Sequence, residues 1–443
     1  MRFQKAEGIT PSEELLAKLC NESFLSLWTY PNLFNEPGKE LADLLVVFGD
    51  DVVIFSDKSC KYTDSEDAEV NWQRWYRRSI TRSIGQMQKA ENWIRKYSDR
   101  VFLDPKCAQR LPIQLPPADR IRVHFVCVVC GISRQAELNT GKPCLTISAL
   151  VEGDVQPFVM GRALNAPRWV HVFDDTNLMT LLSELSTVSD FLDYLRKKEV
   201  LLSSGEFAYA ESELDLLAYF LWNGRQFPVP ADLKADRFKL EPNLWERVEA
   251  DKHFLAGREE NKVSYFWDGL IEYLSDLYLK EELEVGNDIP VDDYERAVRI
   301  MAGEGRFSRR LLARWILERA DKAKGVYIGS LHPSLQPDVL YVLLIGPGDG
   351  GKDHNEYRKA RAEQLRARCI AAKAAMRDRR YLVGIAMDAR GVKGSSEDFI
   401  YLDTLDWTEE MIEKGEKLRQ DLGYFVKGKA QEKRVNEREY PDS

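Results

Sequence analysis

The stretch DLLVVFGDDVVIFSDKS, residues 43–59, holds the residues whose types and spacing point most directly to chemistry. It reads as two short apolar strands returning on each other through Gly49-Asp50-Asp51, a combination suited to a tight hairpin connection. Asp43 opens the first strand, while Ser56, Asp57 and Lys58 close the second. The hairpin thus brings acids and a lysine to one end of a strand pair. Hard carboxylate oxygens hold Mg²⁺ with waters left in its shell; the ion lowers the pKa of such a water and offsets charge developing on a phosphate. Acids and a lysine gathered in this way are the groups that metal-dependent phosphodiester cleavage needs. Side chains alternate along a strand, so Ser56 and Lys58 share one face and Asp57 takes the other unless a bulge re-aims it.

The elements that must position these groups follow from pattern. SEELLAKLCN (12–21) reads as a short helix with Ser12 as N-cap and Glu13 and Glu14 in its first turn. FLSLWTYPNLF (24–34) is strand-like, and Pro37–Gly38 turns the chain into the hairpin. From Ala68 to Tyr97 the apolar spacing becomes helical, with Trp72, Trp75, Tyr76, Ile80, Ile84, Met87, Ala90, Trp93 and Ile94 on one stripe. IRVHFVCVVCG (121–131) is a continuous apolar run, as expected of a strand covered on both faces, and CLTISALVEG (144–153) is a further strand. Residues 1–160 therefore form a compact α/β unit.

The order helix, strand, hairpin, helix, strand over residues 10–150 resembles the PD-(D/E)XK restriction-like nuclease superfamily. In that family an Asp on the first hairpin strand and an acid two residues before a Lys hold Mg²⁺, and the Lys positions or activates water. By this resemblance Asp43 matches the metal-binding Asp and Lys58 the lysine. Ser56 stands where the family has Asp or Glu. Asp57, Glu40, or Glu13 and Glu14 on the first helix are the candidates for the second carboxylate, and the implied cofactor is Mg²⁺ or Mn²⁺.

The helical stretch 71–100 carries eight cations against two acids, within a protein whose formal net charge is −9. A basic stripe beside a cleavage hairpin could hold a phosphate backbone. Gln73, Arg74, Arg77, Arg78, Arg82, Gln86 and Lys89 are the candidate nucleic-acid contacts. The plainer reading is an amphipathic helix that buries tryptophans and solvates arginines.

Two other motifs carry less. GPGDGGKD (346–353) fits G-x-x-x-x-G-K after a strand, but Asp353 stands where a P-loop needs Ser or Thr on Mg²⁺. His124, Cys127, Cys130 and Cys144 suggest zinc by their C-x-x-C spacing. Cys127 and Cys130 fall on opposite faces of a strand, so buried free thiols are expected instead.

At 443 residues the chain is expected to exceed one core. Residues 161–324 read as a mostly helical middle region, with long segments at 178–202 and 292–322. Residues 325–424 read as a smaller C-terminal α/β unit, and 425–443 as a charged, mobile tail. Seven scattered cysteines and no apolar N-terminal leader fit a cytoplasmic protein, and no run is long enough to cross a membrane. The expectation is an α/β multidomain, metal-dependent nuclease acting on DNA or RNA, with defence against foreign nucleic acid in a microbe as a context drawn from fold analogy. The competing expectation is a non-catalytic subunit that grips nucleic acid or a protein partner, including a second copy of itself, through a degenerate nuclease domain.

Overall fold

The first helix, α1 (Pro11–Phe24), begins at a reciprocal cap. The Thr10 hydroxyl accepts the Glu13 N–H, and the Glu13 carboxylate accepts the Thr10 N–H. Thr10, not Ser12, is therefore the N-cap, with Pro11 at the first helical position where its missing N–H is harmless. The computed structural model describes residues 3, 5–63, 67–174, 176–230, 237–283, 288–351, 353–392, 396–426 and 436–441.

Three antiparallel strands follow: β1 (Thr29–Glu36), β2 (Lys39–Phe48) and β3 (Asp51–Ser59). Gly49 turns β2 into β3 at φ 62°, a left-handed value that a side chain would resist. The expected long helix is present as α2 (Ala68–Tyr76) and α3 (Arg82–Lys96), joined by a π-helical turn at Arg77–Thr81. It carries the chain back to β4 (Arg122–Cys130), which pairs parallel to β3, as a connection of this length permits. After α4 (Ser133–Thr140), β5 (Thr146–Glu152) and β6 (Val159–Arg162), the strand β7 (Val170–Asp174) joins parallel to β4. The main sheet thus runs β1-β2-β3-β4-β7.

Both faces of this sheet are covered, which is why β3 and β4 read as unbroken apolar runs. Ser56 meets Ser83 of α3 on one face. Its neighbour Phe55 stacks on Phe191 on the other, where Phe24 of α1 also meets Phe191. Phe191 belongs to α6 (Val188–Ser203), which follows α5 (Leu178–Glu184). The single helix expected over 178–202 is broken there because Thr187 is extended and caps α6. The strands β8 (Phe207–Ala210) and β9 (Phe238–Lys239) complete a small sheet, β6-β5-β8-β9, with α7 (Glu213–Trp222) between them.

Helices α8 (Leu244–Glu249), α9 (Lys252–Asn261), α10 (Tyr265–Lys280), α11 (Val291–Ala302) and α12 (Arg306–Lys322) come next, the last two separated by Gly303–Gly305. The third sheet is β10 (Ile328–Pro333), β11 (Val339–Gly346), β12 (Tyr381–Asp388) and β13 (Asp398–Asp403) in that order. Helix α13 (His354–Ala375) links the parallel pair β11 and β12, and α14 (Glu409–Asp421) follows. Leu340, Val342 and Leu344 pack with Leu365, Cys369 and Ala372 to form this sheet's core.

The chain divides into two compact units: residues 1–255 with 272–302, and residues 256–271 with 303–443. The stretch 161–324 is shared between them, and β7 belongs to the first sheet. Part of the tail expected to be mobile is held: Arg310 donates to the carbonyls of Arg438 and Glu439, and Arg314 pairs with Glu437. The molecule is a mixed α/β protein, and among the described residues no helix is long and apolar enough to cross a membrane.

Candidate active site at the β2–β3 hairpin

Asp43 is the centre of the hairpin's polar end and is 3 % exposed. Its Oδ2 accepts the Asp57 N–H at 2.7 Å, the Ser56 hydroxyl at 3.3 Å and Lys58 Nζ at 3.3 Å. Its Oδ1 accepts Gln86 Nε2 of α3 at 3.1 Å. Asp43, Ser56, Lys58 and Gln86 are thus brought together as the sequence predicted. Ser56, 1 % exposed, also has Ser83 Oγ at 3.1 Å as an alternative acceptor for its single proton, and Ser83 donates to the Ser79 carbonyl inside the π-helical turn. That turn lies at the point where the helix meets the hairpin, a setting where π-helical turns recur.

The acids gather around Asp43. Asp57 is 7 % exposed, and its carboxyl is hydrogen-bonded by Ser12. Burial raises its pKa above the ordinary range, and the Asp43 and Glu13 charges push the same way. Its Oδ1 is buried with no hydrogen-bond partner. Glu40 is raised likewise by burial and by Asp43 and Glu13, against a hydrogen bond from Asn32. Asn32 Nδ2 bridges Glu40 Oε1 at 2.9 Å and Glu13 Oε2 at 3.3 Å. To do so Asn32 takes φ 48° within β1, where the register against β2 shifts between Leu33 and Glu36. Asn tolerates this left-handed conformation better than most side chains.

One sequence assignment changes. Glu13, not Glu14, is the helix acid at the hairpin; Glu14 is exposed, because moving the cap to Thr10 fixes which side of the first turn faces the strands. Gln73 lies exposed beside Arg74, Arg77 and Asp154, with Val70, around a surface hollow of about 200 Å³. The backbone amide of Asp57 bonds the Asp43 carboxylate, while its own carboxyl is bonded by Ser12 of α1.

The cations are spread along the helix rather than drawn to one point. Arg74, Arg77, Arg82 and Lys89 are exposed. Arg78 donates to the Lys61 carbonyl at 3.2 Å, and so helps hold the segment after β3. Arg95 is structural, paired with Glu91 and donating to the Ala118 carbonyl. Trp72 and Trp75 are fully buried and stacked, as core residues.

The remaining motifs separate cleanly. The seven cysteines are free, and burial pushes Cys127 and Cys144 up to about 12. His124 faces Asp51 and Glu199, not the thiols. In the glycine-rich loop, Asp353 caps α13 by accepting the Glu356 N–H, and Lys352 lies outside the described residues. Asp388 at the end of β12 is bound by Tyr357 and Arg361.

Comparison of the chain with protein-family models, with curated proteins and with solved structures gave no match.

Proposed function

We propose that the hairpin end of the first unit is the site of a metal-dependent nuclease of the restriction-like kind. The observation that carries this reading is Asp43 bonded to Lys58 and Gln86, with Asp57, Glu40 and Glu13 near enough to act on one another electrostatically and Asp57 Oδ1 buried and unpartnered. No three of these carboxylates meet within 4.8 Å, so an ion would draw them closer together. A buried carboxylate oxygen without a donor is costly. Four acids with Lys58 as the near cation leave negative charge that a hard divalent ion would offset. The donor set, all carboxylate oxygens beside the part-exposed Lys58, fits Mg²⁺ or Mn²⁺. Asp43 and Asp57 would hold the ion, with Glu40 or Glu13 behind them. When bound it would supply Lewis-acid charge and a more acidic water.

The chain's own groups do the rest. Lys58 orients the attacking water and faces the charge developing on the phosphate. Gln86 and the Asp57 amide fix the Asp43 carboxylate. Arg74, Arg77 and Arg82 offer exposed positive charge for a nucleic-acid backbone. The arrangement of α1, three antiparallel strands, a helix and a parallel fourth strand supports the same reading.

One observation favours a second reading, a domain that binds nucleic acid without cutting it. Ser56 occupies the usual acid position, and its hydroxyl is already satisfied by Asp43 and Ser83. The two readings part on cleavage of supercoiled plasmid, single-stranded DNA and tRNA with Mg²⁺, Mn²⁺ or EDTA. Cutting that needs metal and is lost in Asp43→Ala and Lys58→Ala supports the nuclease. Salt-sensitive binding that survives both substitutions, with no cutting, supports the binding domain.

A further inference from the structure

Among the described residues, one set of three His, Cys, Asp or Glu side chains brings its ligand atoms within 4.8 Å of one another: His124, His171 and Glu199. It lies away from the hairpin end. His124 is near the start of β4 and pairs through Asp51, the first residue of β3, whereas the nuclease-like cluster is at the end of β3. Asp51 and Asp57 are six residues apart along β3, about 20 Å at strand rise. His171 on β7 stands beside Val126 of β4, two residues on from His124, so the two imidazoles share the sheet face covered by α6. Glu199 comes from α6 itself.

The geometry is that of a ligand set. Glu199 Oε1 lies 3.0 Å from His124 Nδ1 and 3.0 Å from His171 Nε2. Two ligands bound at about 2.0–2.1 Å to a tetrahedral ion sit a little over 3 Å apart, so these spacings leave little adjustment. His124 has a second feature of metal-bound histidines. Its far nitrogen, Nε2, is 3.1 Å from Asp51 Oδ1, and Asp51 is itself held by Arg122. A carboxylate behind the imidazole fixes the ring and makes the inner nitrogen a better donor. Both rings are buried, while the Glu199 side chain keeps about a quarter of its surface, leaving a route for a water as fourth ligand. Two imidazoles and a carboxylate favour a borderline ion such as Zn²⁺ over Mg²⁺ or Ca²⁺.

We propose that His124, His171 and Glu199 form a second metal site that takes Zn²⁺, with Asp51 as the positioning residue behind His124. The ion would clip α6 to β4 and β7. It is separate in ligand type and place from the hairpin cluster. The ion would take the place of the protons shared between the two rings and Glu199.

The test uses the full chain, stripped with chelator and titrated with Zn²⁺ by calorimetry, and with Co²⁺ by visible absorption. One Zn²⁺ per chain, a tetrahedral Co²⁺ spectrum and a rise in Tm on Zn²⁺ addition are expected. His171→Ala and Glu199→Gln should lose the site; the amide of Glu199→Gln can still hydrogen-bond, so its fold serves as the control. Asp51→Asn should weaken Zn²⁺ about 10- to 100-fold. Asp43→Ala should leave Zn²⁺ binding unchanged. Absence of stoichiometric Zn²⁺, or equal binding in folded Glu199→Gln and wild type, overturns the proposal.

Discussion

Replacing Ser56 by aspartate puts a second carboxylate beside Asp43 where both positions are almost fully buried, at 1 % and 3 % exposure. Ser56 Oγ is 3.3 Å from Asp43 Oδ2, so the new carboxylate lies within a few ångströms of the old one. Two like charges about 4 Å apart at an effective dielectric near 20 repel by about 4 kcal/mol. Holding a proton on one of them is no cheaper: keeping an ordinary Asp neutral at pH 7 costs about 4 kcal/mol, roughly three pKa units. Lys58, 3.3 Å from Asp43, offsets part of this. A loss of about 2–4 kcal/mol in EDTA is therefore expected for Ser56→Asp, read from urea unfolding. Added Mg²⁺ should recover most of it, because the two charges then face a cation, and should stabilise the variant more than wild type. A variant as stable as wild type in EDTA refutes the electrostatic argument. A deficit that Mg²⁺ leaves untouched refutes the cation site.

Asp57→Asn and Glu40→Gln should each stabilise the metal-free protein at neutral pH while weakening Mg²⁺ binding, read by melts with and without the ion. The sign follows from both carboxyls being held above their ordinary pKa by burial and by neighbouring acids. The folded state then holds their protons better than the unfolded one, so wild-type stability rises as pH falls through the folded values and is lower above them. Arg74→Ala with Arg77→Ala should weaken binding to unrelated duplexes alike and cut the slope of log K against log salt by about 1.8 if both contact phosphate; an unchanged slope removes them from the interface. In the second unit, Arg361 is fully buried and pairs with both Asp388 and Asp398. Arg361→Met should therefore cost about 3–5 kcal/mol in chemical unfolding, since it strands two buried acids.

What the sequence made legible was what short-range rules govern. The hairpin, the long amphipathic helix and the apolar β4 run were readable because turn chemistry and periodicity are local. Strand alternation placed Ser56 and Lys58 on one face, while Asp43 was singled out by its residue type and by the family resemblance. The choice between Glu13 and Glu14 turned on the cap: adjacent helix residues differ by about 100° in direction, so a cap misplaced from Thr10 to Ser12 leaves the inward acid undetermined. The joining of β7 to β4, across residues 131–169, had no local signal. For the same reason His171 and Glu199, brought to His124 by that pairing and by α6, formed no readable motif.

The serine at position 56 bears on how the cluster would work more than on whether it would. Ser56 lies on the Lys58 side of β3, and with a hydroxyl there the acidic charge moves to Asp57, Glu40 and Glu13. Asp57, Glu40 or Glu13 would then complete the ligand set with Asp43, to which Lys58 is bonded. A fold freed from chemistry would gain stability by exchanging these groups for well-packed apolar ones, since buried charges rarely offset their own desolvation. Asp43 instead remains buried under four donors, and Asp57 remains beside it with one oxygen unpartnered. A cation at the hairpin end, as proposed, would offset that cost.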